Sequence, residues 1–270
     1  MPPRLAVTTP ELAALFADRL ADYQLVFVSS TDYHAVRRDF DHLEADEVLG
    51  FGGGQAIDIA KYIGHRNHCP VIAYPTIISA DAFLVKETAV RDGGTVHYLQ
   101  TKRPDHLIID HDLILSAPPY MNAAGWGDVL SIYTACFDWR LAGQRGADDY
   151  DPDLAQQALA LLEYARPPTS KENLNTLISC LRREVELSEE FGCARPEEGS
   201  EHYFVYCLEN LLPAGRKFLH GELVALGITR MAAWQGQDLD YITSLFQRVG
   251  LRFRPEDLGH RSRRPAIVLE

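Results

Sequence analysis

Apolar positions fall first in short unbroken runs and later at helical spacing, and the change divides the chain. "QLVFVSS" (24–30), "EVLGF" (47–51) and "VIAYP" (71–75) are apolar blocks bounded by charges or turn formers, as strands buried on both faces are. Between them, "HAVRRDFDHL" and a segment carrying Ile57, Ala60, Ile63 and Gly64 have the period of helices. Ahead of these, Thr9-Pro10-Glu11 places a capping side chain before a proline suited to a first turn, and Leu12, Leu15, Phe16 and Leu20 then predict one helix. "ETAVRDGGTVHYLQT" alternates about an Asp92-Gly93 turn and predicts a hairpin, and "HLIID" predicts a further strand.

Strand alternating with helix predicts an α/β fold with a Rossmann-like parallel sheet, which binds ligands at the carboxyl ends of its strands. From Ala117 onward only helical periods remain, punctuated by "ARPPTS", "CARPEEG" and "LLPAGRKFLHG". The expected organisation is a Rossmann-like α/β domain over residues 1–116, followed by an all-α helical-bundle domain over 117–270. No internal repeat or low-complexity tract interrupts it.

Composition narrows the function classes. A length of 270 residues with 46% hydrophobic content supplies a substantial core. The N-terminus lacks a basic flank followed by an apolar block, and no uncharged apolar run approaches the roughly 18 residues of a membrane span, so a cytoplasmic protein without membrane partners is expected. Five cysteines without a CxxC pair predict reduced thiols rather than a disulfide framework. A formal charge of −12 argues against nucleic acid and anionic membrane, while an acidic protein can still carry a local basic pocket for an anionic small-molecule substrate. The basic "HRSRRP" near the end is expected to be solvated.

Three stretches carry chemistry. In "GFGGGQAIDIAKYIG" (50–64), Gly52, Gly53 and Gly54 join a strand to a helix, where the backbone can approach a pyrophosphate and helical N–H groups face the anion. The stretch does not spell GxGxxG, and a tight turn alone would also ask for glycine; Asp58 and Lys61 within the following helix are expected on an exposed charged face. In "YPTIISADAF" (74–83), Thr76, Ser79 and Asp81 leave a strand at the same edge, as hydroxyls for a cofactor and a carboxylate for substrate, or as local turn-formers. Farther on, Asp128, His202 and His220 are candidate metal ligands, but the histidines stand on separate helical segments and spacing alone establishes no site.

"GFGGGQAIDIAK", "PTIISADAF", "AAGWGDVLSIYTACFDWRLA", "GSEHYF" and "HGELVALG", in that order, resemble the metal-dependent dehydrogenases that include the sn-glycerol-1-phosphate and glycerol dehydrogenases, in the superfamily of iron-containing alcohol dehydrogenases and dehydroquinate synthases. The resemblance implies a divalent metal, Zn or Fe, held by Asp128, His202 and His220 and leaving a position for a substrate oxygen. It further implies an NAD(P) pyrophosphate loop at Gly52, Gly53 and Gly54, nicotinamide-side contacts from Thr76 and Ser79, and a catalytic Asp81. Tyr206 is expected on the substrate wall as a hydrogen-bonding group. Asp128 counts there as both metal ligand and catalytic group, and a homo-oligomer is expected.

Against that family the glycine loop comes early. "YQLVFVSSTDYHAVRRDF" reads as the unit immediately before it, so the first strand–helix unit is expected to be missing, replaced by a single helix, and NAD or NADP to bind less completely. Tyr206 stands where the relatives have histidine, Val85 where they have serine, and a final helix is expected to be lacking. The implied function is a metal-dependent oxidoreductase moving a hydride between NAD(P) and a small polyol, hydroxy acid or phosphorylated polyol. Two alternatives stand beside it: a metal-dependent lyase, aldolase or cyclase with a vestigial nucleotide site, and a non-catalytic partner subunit.

Overall fold

The computed structural model describes residues 2–211 and 218–258. The chain opens with β1 (Arg4–Thr8), two short helices α1 (Pro10–Leu15) and α2 (Ala17–Leu20), β2 (Gln24–Phe27), α3 (Tyr33–Phe40), β3 (Glu47–Gly52), α4 (Gly54–Asn67) and β4 (Val71–Pro75). The antiparallel hairpin β5 (Glu87–Asp92) and β6 (Thr95–Gln100) and the two-residue strand β7 (His106–Leu107) follow. The main sheet is wholly parallel, in the order β2-β1-β3-β4-β7.

That order corrects the expectation of a missing first strand. β1 lies between β2 and β3, pairing Leu5 with Gln24 on one side and with Val48 on the other. Its five residues escape a search for long apolar runs because a strand bonded on both edges and buried on both faces needs little length; Leu5, Ala6 and Val7 are all buried. The helix expected after it is two pieces broken at Phe16, and Leu15 is 74% exposed. "HLIID" contributes only His106 and Leu107 to the sheet; Asp110 turns instead to cap α5 (His111–Ser116), accepting the Leu113 N–H at 3.0 Å.

Connections reverse direction between β1 and β3, and in such sheets a crevice opens beyond the carboxyl ends at that point. Here the crevice lies beside Thr9 after β1 and Gly53 after β3. β3 packs closely on α4: a Cβ on Gly50 would come 3.0 Å from both Ala60 Cβ and Ile57 Cα.

Asp58 and Lys61 of α4 depart from the expected exposed face. Lys61 is fully buried, its Nζ 2.8 Å from an Asp58 oxygen and donating to the carbonyls of Ala82 (2.9 Å), Val85 (3.3 Å) and Glu87 (2.5 Å). The hairpin and the loop before it cross over α4 and bury this face, which helical periodicity alone does not reveal.

After α5 come α6 (Pro119–Ala123), α7 (Trp126–Gln144), α8 (Pro152–Ala160), a 3₁₀ turn (Leu161–Tyr164), α9 (Lys171–Phe191), α10 (Ser200–Glu209), α11 (His220–Gln235) and α12 (Leu239–Val249). α7 is apolar nearly all round, with Trp126, Val129, Leu130, Ile132 and Trp139 fully buried, and therefore forms the axis on which α8, α9, α10, α11 and α12 pack. No disulfide joins the cysteines; Cys69, Cys136 and Cys180 are buried, Cys193 and Cys207 exposed. No helix among the described residues is long and apolar enough to cross a membrane. "HRSRRP" and the end of the chain lie outside the described residues, as does most of the break predicted within "LLPAGRKFLHG".

Candidate functional site

Glycines let three helices converge closely enough to bring distant residues together. A Cβ on Gly127 would fall 2.3 Å from Gly221 Cα, and one on Gly221 would fall 1.8 Å from the Ala124 carbonyl oxygen, so α7 and α11 meet nearly backbone to backbone at their N-terminal ends. Gly227 allows α11 the same approach to the Glu201 carbonyl of α10, where a Cβ would stand 2.6 Å away. Asp128 follows Gly127, His220 precedes Gly221 and His202 follows Glu201, so each candidate ligand sits at one of these contacts.

One ligand atom from each of Asp128, His202 and His220 lies within 4.8 Å of the others. The imidazole centroids are 5.3 Å apart, and His220 Nε2 is 3.7 Å from Asp128 Oδ1. Both carboxylate oxygens of Asp128 are buried and lack a hydrogen-bond partner. Leaving a carboxylate so costs several kcal/mol, on the order of the penalty for an unpaired buried ion. Burial, reinforced by Asp81, accordingly pushes its pKa well above the usual carboxylate range.

Sequence reasoning missed the group that holds His202. Glu201 is fully buried, with Oε1 2.9 Å from His202 Nδ1 and accepting the Gly199 N–H at 2.5 Å, while Oε2 accepts from Thr134 Oγ1 at 2.6 Å. A carboxylate on Nδ1 fixes the ring and leaves Nε2 as the free nitrogen. Burial alone would lower the pKa of His202, but Glu198 and Glu201 overcome it and raise it to about 9. Burial and the neighbouring His202 push His220 well below its ordinary value. The adjacent "SEH" letters were the available signal for Glu201, readable only once its burial is known.

A cleft of about 1200 Å³ runs from this cluster to the start of α4. On the sheet side it is lined by Gly53, Gly54, Thr76, Ser79 and Asp81, and on the helical side by Asp128, His202, Tyr206 and His220. Gly52 is the predicted residue that does not line it: Gly52 is buried, and its carbonyl accepts the Thr76 N–H at 3.0 Å, fixing the loop after β4. α4 begins with no side-chain cap on Gly53, and its first residues Gly54, Gln55 and Ala56 line the cleft. The loop bearing Asp81 is seated on α6, where buried Asn122 accepts the Ile78 N–H at 2.8 Å and donates to the Ile114 carbonyl at 2.8 Å. Burial raises the Asp81 pKa to about 6, against the pull of Lys61.

The hairpin closes the cleft from above. Tyr98 of β6 meets the Tyr206 hydroxyl at 2.5 Å and donates to Glu198 Oε1 at 2.9 Å, while Arg91 of β5 binds both oxygens of Glu209 at 2.7 and 3.2 Å. Tyr206 is therefore tied into a hydrogen-bonded wall through Tyr98, a partner the sequence did not reveal.

A glycine-started helix facing an Asp-His-His cluster across one cleft is the arrangement of a metal-dependent dehydrogenase, and comparison with known proteins gives the family. Residues 7–118 match the family profile described as iron-containing alcohol dehydrogenase. The chain is 31% identical over 269 residues to the glycerol-1-phosphate dehydrogenase [NAD(P)+] of Hyperthermus butylicus, covering 94% of this chain and 76% of that protein. It is 32% identical over 230 residues to the enzyme of the same name from Aeropyrum pernix, covering 83% and 65%. In fold it is similar to glycerol dehydrogenase from Schizosaccharomyces pombe, with a TM-score of 0.71 at 18% identity over 96% of this chain and 72% of that one. Sulfoacetaldehyde reductase from Bifidobacterium kashiwanohense, solved in complex with NAD+, gives a TM-score of 0.61 at 20% identity over 96% and 81%. The chain belongs to the iron-containing alcohol dehydrogenase family, whose members are metal-dependent oxidoreductases using NAD(P).

The residues present fit such a metal. Two orphaned carboxylate oxygens and two imidazoles, one held neutral by burial, form a mixed oxygen and nitrogen donor set suited to Zn²⁺ or Fe²⁺.

Proposed function

We propose that the protein transfers a hydride between NAD(P) and a small polyol, hydroxy acid or phosphorylated polyol, with Asp128, His202 and His220 as the ligands of a divalent metal. The observation that carries this reading is the pair of unpartnered, buried Asp128 oxygens beside two imidazoles, on a cleft whose other end is the uncapped start of α4. A metal bound there supplies Lewis acidity to the reacting C–O group.

The chain's own residues do the rest. Glu201 locks the His202 ring so that only Nε2 is offered to the cleft. The first-turn N–H groups after Gly53 and Gly54 receive the cofactor pyrophosphate, and Thr76 and Ser79 bound the nicotinamide side. Asp81, with its pKa raised to about 6, can hold or release a proton near neutrality at its carboxyl oxygen. Tyr206 and Tyr98 form the substrate wall and keep water from that side. The presence of β1 inside the sheet, between β2 and β3, removes the reason for a vestigial nucleotide site. A cytoplasmic setting accords with the unpaired cysteines, and a homo-oligomer accords with edge strand β2, which exposes Leu25 and Phe27.

The test is elemental analysis of wild type against His220→Ala, followed by NADH titration of the same samples and NAD(P)-coupled assays with small polyols. One bound divalent ion per chain, lost in the variant, with saturable NADH binding and polyol-dependent reduction of NAD(P), is the expected result. Wild-type protein that takes up neither ion nor NADH would end the reading.

A further inference from the structure

The cleft carries more carboxyl groups than a metal and a dinucleotide account for. Beyond Asp81 and Asp128, its α9 wall holds Glu184, and the turn entering α10 adds Glu197 and Glu198. Glu184 is 1% exposed, and its Oε2 has no hydrogen-bond partner among the described residues. On the next turn of the same wall, the Ser188 hydroxyl is likewise buried and lies near enough to Glu197 to draw its pKa down. Burial, with repulsion from the neighbouring acids, still holds Glu184 and Glu197 well above the usual carboxylate range.

Among the described residues, two of the three lysines and arginines along the cleft are committed elsewhere: Arg91 is bound to Glu209 and Arg252 to Glu222 at 2.5 Å, while Lys86 stands 3.9 Å from Glu87. No described ion pair reaches Glu184 or Glu197. A phosphate placed against this wall would meet carboxyl groups, whereas a compact cation with three N–H donors would meet three acceptors.

Resting on the dehydrogenase reading above, we propose that the substrate is an amino polyol whose ammonium group docks against Glu184, Ser188 and Glu197 while its reacting hydroxyl faces Asp128, His202 and His220. Two independent features point to one ligand: the crowding of carboxyls, and a buried Glu184 oxygen on the cleft wall that is left without a partner. The polarity is opposite to that of a phosphorylated polyol. Removing a carboxyl should therefore change which substrate is preferred without removing the metal.

The experiment is calorimetric titration of zinc-loaded, full-length protein at neutral pH with three probes of one skeleton: glycerol, 2-amino-1,3-propanediol and glycerol 1-phosphate. The amino diol should bind at least about tenfold tighter than glycerol, and the phosphate most weakly. Glu184→Gln and Glu197→Gln should each erase most of that preference with zinc content and thermal melting retained, and Ser188→Ala should reduce it less. Equal binding of the three probes, a preference for the phosphate, or a preference that survives both glutamine variants would overturn the proposal. So would uptake of a second zinc ion by wild type that Glu184→Gln abolishes, since the wall would then be a metal site. NADH titration of the same samples separates the two readings. NADH binding without amine preference sinks the amino polyol alone, and amine preference without NADH binding sinks the dehydrogenase.

Discussion

Two sets of buried charges face each other across the cleft and are treated in opposite ways. On the sheet side, Lys61 is enclosed by Asp58 and three backbone carbonyls, so its donors are occupied and nothing is left for a ligand. On the helical side, Asp128 is equally enclosed but has neither oxygen satisfied, and its imidazole neighbours stop short of hydrogen-bonding it. The first arrangement pins a hairpin over α4. The second stores an unfavourable state that a bound cation would relieve, which is how a binding site differs from a structural ion pair.

The sharpest test of that contrast is on the sheet side. Lys61→Met strands Asp58 and three carbonyls in the interior and should cost about 3–5 kcal/mol in urea unfolding. A loss below about 1 kcal/mol would mean that the buried pair holds nothing together.

Asp128→Asn should act with the opposite sign on the metal-free protein, stabilising it by about 1–3 kcal/mol at neutral pH while abolishing metal uptake. Because the folded-state pKa of Asp128 is raised, its penalty appears as pH climbs above the unfolded value near about 4. Wild type and variant should therefore converge at that pH and separate above it, as thermal melts across pH will show. A destabilised variant at pH 7 would contradict the account of a stored, unsatisfied charge.

Glu201→Gln probes the support of the site rather than its charge. It should lower metal affinity about 10–100-fold, read by chelator competition, and leave the fold in place. Unchanged affinity would show that Glu201 does not set the His202 ring.

The smallest effect belongs to an accessible, satisfied carboxylate. Asp110 caps α5 and receives Arg19, and these hold its pKa at about 2. Asp110→Ala should cost about 1 kcal/mol at neutral pH. A depressed folded pKa means that this contribution is complete above about pH 4 and disappears as pH falls through 2, so the wild-type advantage should shrink over that window in acid denaturation.

Legibility followed the distance over which each feature is decided. The glycine loop, the hairpin turn and α4 could be read because a strand ending in glycines, an Asp-Gly turn and helical spacing act over a few neighbouring residues. β1 was missed because its evidence is the pairing on its two edges, contributed by residues up to Val48 and beyond. Lys61 was placed on the wrong face because what buries it arrives with Ala82, Val85 and Glu87. Glu201 and Tyr98 could not be singled out because each acts through a side chain elsewhere: Thr134 and His202 for one, Tyr206 and Glu198 for the other.

The plan of a parallel sheet region followed by helices, the glycine-started α4 and the types of side chain available for chemistry were set by the chain's letters, since backbone propensity and apolar period are local properties. That Asp128, His202 and His220 share one space was decided only when Gly127, Gly221 and Gly227 let α7, α10 and α11 touch without intervening side chains. Which carboxyls are satisfied and which are left without a partner was decided there too, because desolvation depends on everything packed around a group and not on its neighbours in sequence.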